Sequence, residues 1–359
     1  MGSGNDCDTM AMNRRVFLSL TGSLIAGLLL RHEWIAAEPL STARFKAGAI
    51  RRGDQRIALI SDLNASYGST RYISQVHRGV KLLQGFQPDL VLCAGDMVAG
   101  QKLGLTGHQL DGMWAAFNQS VLQPLRSEGE AFAPCMGNHD ASSIKQRGAF
   151  LFNLDRQRAA SFWNQQKNEL GLSFLEASHF PFRYSIRQAG LFAVILDASS
   201  ANIPAADLAW AEEQLSTSTA KQAKLRLVVG HLPPYPISQR KDRAGEVLNQ
   251  PQQLMALLER HDVALYVSGH HHAWFPGRVG TINLLSLGAM GSGPRQRLND
   301  HHPPTQTLTL LDVFSSNGEM IETTIDINTL EILRPEALPV ALTPDRSPNL
   351  NRRSTQLQI

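Results

Sequence analysis

The amino-acid sequence predicts an α/β fold in which two packed, mixed β-sheets are flanked by helices. Three observations predict it. Short apolar runs without polar alternation recur along the chain, which is typical of strands buried on both faces. Helical patterns separate several of these runs, as in folds that alternate strand and helix. Two other segments have the pattern of antiparallel hairpins, which we expect to lie in a second, more antiparallel sheet.

Each apolar run ends abruptly in a polar or glycine-containing turn, as a buried strand does. Helical patterns occupy residues 70–86, 207–224 and 251–262, and Pro251 suits the first turn of the last helix. The runs predicted as strands are RIALISD (56–62), DLVLCAGD (89–96), AFAPCMGNHD (131–140), LFAVILDAS (191–199), LRLVVGH (225–231), ALYVSGHHH (264–272) and INLLSLGAMGSG (282–293).

The hairpin patterns cover residues 182–196 and 307–327. The second contains Asn317-Gly318, a strong signal for a tight hairpin turn. Residues 335–359 are rich in Pro, Asn, Arg and Ser and lack periodicity, so we expect a flexible C-terminal tail. A single domain over residues 38–334 is therefore predicted, because no shift in composition divides it.

The first 37 residues have the pattern of an export signal. The basic pair Arg14-Arg15 precedes an apolar run over residues 16–30, and the small pair Ala36-Ala37 follows. This order resembles a twin-arginine leader, and an uncleaved N-terminal anchor is the alternative. We expect an exported, periplasmic or extracytoplasmic protein that meets a membrane only through this segment, if it is not cleaved.

Composition limits the classes of partner. The chain of 359 residues has a formal net charge of +3 and 18% charged residues, which is typical of a globular protein. It contains no run of lysine or arginine, so no nucleic-acid surface is predicted.

Side chains that can bind metal follow five of the seven predicted strands. A single Asp, Asn or His after a strand is usually a turn residue. Five such cases at the carboxyl edge of a sheet indicate a binding site instead, because that edge is where open α/β sheets bind ligands. Oxygen and imidazole donors without thiolate suit Mn, Fe or Zn in a catalytic site. The residues are Asp62 and Asn64, Asp96, Asn138 with His139 and Asp140, His231, and His270 with His272.

The order of these motifs resembles the signature of the calcineurin-like metallophosphoesterase family. The motifs are Asp-x-Asn (62–64), Gly-Asp (95–96), Gly-Asn-His-Asp (137–140), Gly-His (230–231) and Gly-His-x-His (269–272). The resemblance implies a four-layer αββα sandwich with two divalent or trivalent metal ions at one edge. It also implies hydrolysis of a small phosphate-ester substrate, a monoester or a diester, by a metal-bound hydroxide.

The resemblance further implies two sets of metal ligands that share one carboxylate. The first set is Asp62, Asp96 and His272, with Asn64 beside them, and the second set is Asp96, Asn138, His231 and His270. His139 is then a general acid or a charge stabiliser that faces the substrate, and Asp140 orients its ring. His271 is expected to be structural.

The sequence departs from the family pattern at residue 64. The family usually has Asp-x-His at the first motif, whereas this chain has Asn64, a weaker ligand than imidazole for zinc or iron. The pattern also differs from that of purple acid phosphatases, which have a tyrosine at the position of Ala99. Asn64 favours the alternative interpretation, a binding or scaffold protein whose catalytic centre has decayed. Every other motif position favours an enzyme.

Outside the metal motifs, Arg295 is the candidate substrate-binding residue. It follows the strand after the histidine cluster, and its planar guanidinium suits a phosphate oxygen. An arginine on a solvated loop is the alternative interpretation.

Overall fold

The computed structural model describes residues 50–359, with the exception of Ala189 and Ser292. The predicted export signal over residues 1–37 lies outside the described residues. Within the described part of the chain, no helix has the length and apolar character needed to cross a bilayer.

The strands of the described residues form two large sheets and a small separate hairpin. In chain order they are β1 Gln55–Ile60, β2 Leu90–Cys93, β3 Ala131–Pro134, β4 Lys145–Gln146, β5 Ala149–Phe150, β6 Phe174–His179, β7 Arg183–Gln188, β8 Leu191–Ile195, β9 Leu225–Val229, β10 Leu265–Ser268, β11 Phe275–Val279, β12 Ile282–Ser286, β13 Thr307–Phe314, β14 Glu319–Asp326, β15 Ala341–Leu342, β16 Leu350–Arg352 and β17 Gln356–Gln358.

The helices lie between the strands, as the alternating pattern predicts. In chain order they are α1 Ser74–Phe86, α2 Gly107–Phe117, α3 Gln123–Ser127, α4 Asn138–Ala141, α5 Asn153–Gln166, α6 Ala205–Ser216, α7 Ser218–Lys221 and α8 Pro251–Arg260. Helix α8 begins at Pro251, where the missing backbone N–H of proline costs no helical hydrogen bond.

The strands form two mixed sheets, which confirms the predicted fold class. One sheet has the order β17-β14-β13-β1-β2-β3, and the other has the order β15-β16-β11-β12-β10-β9-β8-β7-β6. Strands β1, β2 and β3 are parallel, and so are β8, β9, β10 and β12. Each of the seven predicted apolar runs contains one strand. The parallel strands of each sheet therefore bring their carboxyl ends to a common edge.

The two predicted hairpins form, but they do not share a second sheet. The hairpin β7–β8 belongs to the nine-stranded sheet, and β13–β14 belongs to the six-stranded sheet. The expectation that both hairpins lie together in a second sheet of more antiparallel character was therefore wrong. Strand β13 pairs with β1 along the whole of β1 except its last residue, so the second hairpin extends the sheet that begins the fold.

The expectation of a flexible tail over residues 335–359 is contradicted by strand pairing. Strand β16 pairs with β11 in one sheet, and β17 pairs with β14 in the other. Between these strands, Arg353 is 7% exposed and forms a buried ion pair of 2.5 Å with Glu322. The terminal segment is thus held by the edges of both sheets, which supply hydrogen bonds that its composition does not indicate.

An aromatic cluster fills the space behind the six-stranded sheet. Trp114 and Phe117 from α2 contact Trp163 from α5, and Trp163 stacks on Phe132 from β3. These side chains are at most 2% exposed. They therefore belong to the core.

Candidate metal centre

The first two strands each end in a turn that directs a carboxylate inward. Asp62 follows β1 and Asp96 follows β2, with φ angles of 54° and 57° in the left-handed region. Their loops are joined, because the backbone N–H of Asp62 donates to the oxygen of Gly95 at 2.9 Å. Both carboxylates are buried, at 0% and 1% exposure.

The turn after the third strand approaches these carboxylates closely. A Cβ atom on Gly137 would overlap both the Oδ1 and the backbone nitrogen of Asp96, so only glycine fits there. The backbone N–H of His139 donates to Asp96 Oδ1 at 2.8 Å. Asn138, the first residue of α4, points its Oδ1 at His231 Nε2 at 2.9 Å.

The second sheet contributes three histidines, each held through one ring nitrogen. His231 follows β9 and donates from Nδ1 to the oxygen of Ala94 at 2.7 Å, which leaves Nε2 at 3.3 Å from Asp96. His272 donates from Nδ1 to the oxygen of Gly293 at 2.8 Å, which leaves Nε2 at 3.1 Å from Asp62. His270 donates from Nε2 to the carboxylate of Glu246 at 2.8 Å. A hydrogen bond at one ring nitrogen fixes which nitrogen is free to bind metal.

Five of the seven predicted ligands come together in two overlapping groups. One group is Asp96, His231 and His270, and the other is Asp62, Asp96 and His272. In each group, donor atoms lie within 4.8 Å of one another. Asp96 belongs to both groups and lies where the two sheets meet. This is the arrangement that a carboxylate bridging two cations requires.

The charges of the centre fit bound cations. Burial lowers the pKa of His231, but the carboxylates of Asp96 and Asp62 raise it to about 9 overall. The buried carboxylates thus draw a proton onto an imidazole at the position where a metal ion would bind. Buried charges need compensation of this kind. Burial lowers the pKa of His270 to about 3, and neutral imidazole is the form that binds metal.

Two other residues of the motifs lie beside the centre. Asn64 is buried, and its backbone N–H donates to the oxygen of Asp96 at 3.1 Å. His271 is fully buried, accepts at Nδ1 from the backbone of Ile237, and donates from Nε2 to the oxygen of Glu246. Its ring holds the segment that precedes α8, as expected for a structural residue.

His139 lies between the centre and a large cleft. Its Nδ1 donates to the oxygen of Gly100 at 3.1 Å, and its Nε2 is 3.9 Å from Asp96. The ring centroid of Tyr67 is 4.9 Å away, and 20% of the His139 side chain is exposed. Its side chain is absent from both donor groups that the described residues form. The ring is therefore oriented without being a member of the centre.

The structure contradicts the expected partnership of Asp140 with His139. Both carboxylate oxygens of Asp140 are taken up by backbone N–H groups, and the His139 ring is fixed by Gly100. Asp140 shapes the loop that presents Asp96, and it does not orient the imidazole. The donors are Asp96 and Gly137 at 2.7 and 2.8 Å to Oδ2, and Met97 and Val98 at 2.8 and 3.0 Å to Oδ1.

Two residues of the site were not predicted from the sequence. Glu246 binds His270, and Gln101 accepts from the Asn138 amide at 2.5 Å, which turns Asn138 Oδ1 towards His231. Glu246 follows no strand and Gln101 belongs to no metal motif. A left-handed φ of 61° at Gln101 is visible only in the structure.

A cleft of about 1280 Å³ opens over the centre. Its walls include His139 and two of the candidate ligands, Asn138 and His270, so the centre adjoins the cleft. Arg295 also lines the cleft, and its backbone N–H donates to the oxygen of His272 at 3.0 Å. The structure thus places the candidate substrate-binding residue beside a candidate ligand.

Comparison with known proteins supports the sequence resemblance. The model of the family described as calcineurin-like phosphoesterase matches residues 55–274. No curated protein matches significantly.

Two solved structures share the fold. A purple acid phosphatase from yellow lupin (Lupinus luteus) seeds matches with a TM-score of 0.58 and 13% identity, over 78% of this chain and 52% of that chain. GAP50, the anchor in the inner membrane complex of Plasmodium, matches with a TM-score of 0.52 and 14% identity, over 84% of this chain and 90% of that chain. This chain spans about half the length of the lupin enzyme. At these identities the likeness shows the fold alone.

Proposed function

This chain belongs to the calcineurin-like phosphoesterase family, and from that membership we propose that it hydrolyses phosphoric esters with a dinuclear metal centre. The observation that supports two metals rather than one is the position of Asp96. Its carboxylate belongs to both donor groups, which otherwise use different side chains. A structural zinc site would be closed by four ligands, whereas this centre opens onto a cleft.

We assign one metal to Asp62, Asp96 and His272, with Asn64 beside them, and the other to Asp96, Asn138, His231 and His270. Carboxylate, amide and imidazole donors fit Mn, Fe or Zn. Metal ions held by these residues would supply Lewis acidity towards the phosphoryl oxygens and would lower the pKa of water at the centre.

His139 is the residue of this chain that handles the leaving group. Its Nδ1–H is held by Gly100, so Nε2 is the nitrogen available for proton transfer. As the phosphorus–oxygen ester bond breaks, the proton on Nε2 passes to the departing oxygen, which leaves as an alcohol. Until then the imidazolium also stabilises negative charge on the phosphoryl group.

The substrate is a small phosphate ester, a monoester or a diester, and the cleft is large enough for either with its organic group. Arg295 adds positive charge to the wall of the cleft, and its planar guanidinium suits an anionic oxygen.

A scaffold protein with a decayed centre is the second candidate, and Asn64 favours it. GAP50, which shares the fold, is described as the anchor in the inner membrane complex of Plasmodium. The two candidates differ in metal content and turnover.

The experiment is reconstitution of the protein with excess Mn, Fe or Zn. We expect about two ions per chain by elemental analysis and release of phosphate or alcohol from mono- or diester substrates. Asp96→Asn should lose both together, because one carboxylate serves both sites. A stoichiometry near zero with all three metals contradicts the dinuclear centre and favours the scaffold.

We also propose that the protein is exported through its N-terminal segment, on the basis of Arg14-Arg15 and the apolar run that follows. Cell fractionation of the wild type and of a double Arg→Lys variant at these positions tests it. Unchanged cytoplasmic retention of both contradicts export by this route.

A further inference from the structure

The cleft over the centre carries more positive charge than its own carboxylates neutralise. Seven lysines and arginines line it, against three carboxylates. These three carboxylates pair with four of the cations, in Arg156–Asp197, Arg183–Asp207, Lys241–Glu246 and Arg243–Glu246. The cations that form no ion pair with the described residues are Lys145, Arg240 and Arg295.

Two of these unpaired cations lie together. Arg240 and Arg295 both line the main cleft, and both also line an adjoining recess of about 340 Å³. Their segments are joined, because Gln239 donates from its backbone N–H to the oxygen of Gln296 at 3.1 Å and Ser238 bridges to Arg297. The recess is therefore a fixed feature between two hydrogen-bonded segments.

The recess adjoins the metal centre without containing its ligands. Arg295 is bound through its backbone to His272, and Arg240 directly precedes Lys241, whose Nζ is 3.2 Å from His270 Nε2. The recess is otherwise lined by Gln239, Gly293, Pro294 and Gln296. A group that lies in the recess would thus be close to the candidate metal ligands His270 and His272.

The guanidinium groups have unused hydrogen-bonding capacity. Arg295 Nε is buried and has no hydrogen-bond partner among the described residues. A buried donor without a partner is costly, and a ligand that accepts its hydrogen bond would remove this cost. Two guanidinium groups beside one recess, the exposed Arg240 and Arg295 with its free buried N–H, suit a carboxylate or a phosphate, which accepts paired hydrogen bonds.

We propose that Arg240 and Arg295 form a subsite for a second anionic group, so that the preferred substrates are phosphate esters that carry a further carboxylate or phosphate. This inference rests on the proposed function, since it assigns a substrate class to the same site. The scissile phosphoryl group lies at the metal ligands and His139, and the second anion lies in the recess.

The test compares pairs of esters that differ only in the second anion. Alkyl phosphates are compared with ω-phosphonoalkyl phosphates of equal chain length, in which only one group can be hydrolysed. We expect kcat/KM to be higher by about 10-fold or more for the phosphonate member at the best chain length, mainly through KM, as one charged hydrogen bond provides. If the enzyme prefers diesters, the methyl diesters of the same compounds are used.

The variant Arg240→Gln should reduce this preference to about twofold or less and leave the alkyl phosphate within about twofold of the wild type. Arg295→Gln should also reduce this preference. Arg278→Gln is the matched control, because Arg278 is an exposed arginine of β11 that does not line the cleft. An undiminished preference in Arg240→Gln overturns the subsite. An equal loss for both members of the pair also overturns it, because the arginine then holds the scissile phosphate.

A binding measurement separates this inference from the proposed function. Calorimetric titration of the metal-loaded protein with alkylphosphonates and α,ω-alkanebisphosphonates needs no turnover. Tighter binding of the bisphosphonate that depends on Arg240 supports the subsite even if no ester is hydrolysed. Equal affinity for both ligands contradicts the subsite even if esters are hydrolysed.

Discussion

His139 differs from the other histidines of the centre in its surroundings. One of its ring nitrogens is held by Gly100, and the other is 3.9 Å from Asp96 at the edge of the cleft. His231 is fully buried against Asp96 and Asn138. Replacing His139 and replacing His231 should therefore have different effects on metal content and on turnover.

We predict that His139→Ala retains both metals and loses turnover by on the order of 10²–10⁴-fold, the usual range for a positioned general acid. The loss should shrink for nitrophenyl esters, because their leaving group needs little protonation. His231→Ala is the control and should lose metal and activity together. Metal loss in His139→Ala, or an equal penalty for good and poor leaving groups, contradicts this role.

Glu246 is the positioning residue for His270. Its carboxylate accepts from His270 Nε2 and is itself paired with Lys241 and Arg243. We predict that Glu246→Gln weakens metal affinity by about 10–100-fold, as is typical when the carboxylate partner of a metal-bound histidine is removed. Titration of metal into the metal-free protein measures this directly.

The matched control for Glu246 is Glu212→Gln. Glu212 also binds a histidine and an arginine, His261 at 2.8 Å and Arg260, but it does not line the cleft. Its replacement should leave metal affinity unchanged. Equal effects of the two substitutions would indicate a general loss of stability rather than positioning of His270.

At the scale of elements, the turn between β3 and α4 determines where Asp96 points. Gly137 touches Asp96, and Asp140 binds the backbone of both loops. The presence of an aspartate at position 140 is thus explained by loop structure, since four backbone N–H groups converge on one carboxylate.

We predict that Gly137→Ala lowers the free energy of unfolding by about 1–3 kcal/mol, because the added methyl group overlaps Asp96. Metal content should fall as well, since the carboxylate that serves both donor groups is displaced. Denaturant unfolding and elemental analysis check the two effects.

Gly85→Ala is the control for the glycine at 137. Gly85 lies in α1, and no heavy atom is within 4 Å of a Cβ added there. Alanine should raise the free energy of unfolding by about 0.5–1 kcal/mol through helix propensity. A stable Gly137→Ala variant with full metal content would contradict the prediction, because the turn would then accommodate the methyl group without displacing Asp96.

At the scale of the whole molecule, the centre joins the two sheets. Asp62 and Asp96 follow strands of the six-stranded sheet, and His231, His270 and His272 follow strands of the nine-stranded sheet. Cations bound here would link the sheets at the edge where their parallel strands end. Metal binding and global stability are therefore coupled.

We predict that saturating metal raises the midpoint of thermal unfolding and that a chelator lowers it. An ion at about 100 times its dissociation constant adds about 2.7 kcal/mol to the free energy of unfolding, provided that it binds only the folded state. Scanning calorimetry with and without metal measures the shift. Asp96→Asn should show almost none, and an equal shift in that variant contradicts binding at this centre.

The sequence by itself predicted the seven parallel strands and the residue types at their ends. Apolar runs report burial locally, and the carboxyl ends of parallel strands necessarily share an edge. Asp62, Asp96, His231 and His272 can therefore be grouped from their positions after predicted strands. The motif order also identified the family.

Only the tertiary structure decided which distant groups meet. Asp140 was predicted to orient the ring of His139, which is adjacent in sequence. Backbone N–H groups of two loops instead donate to its carboxylate. Glu246 reaches His270 from a segment without a motif. Residues 335–359 lack hydrophobic periodicity, but they pair with the open edges of two sheets formed by earlier residues. The local pattern of apolar residues indicates how deeply a segment is buried. Hydrogen-bond partners that lie far along the chain depend on tertiary packing, which no local pattern encodes.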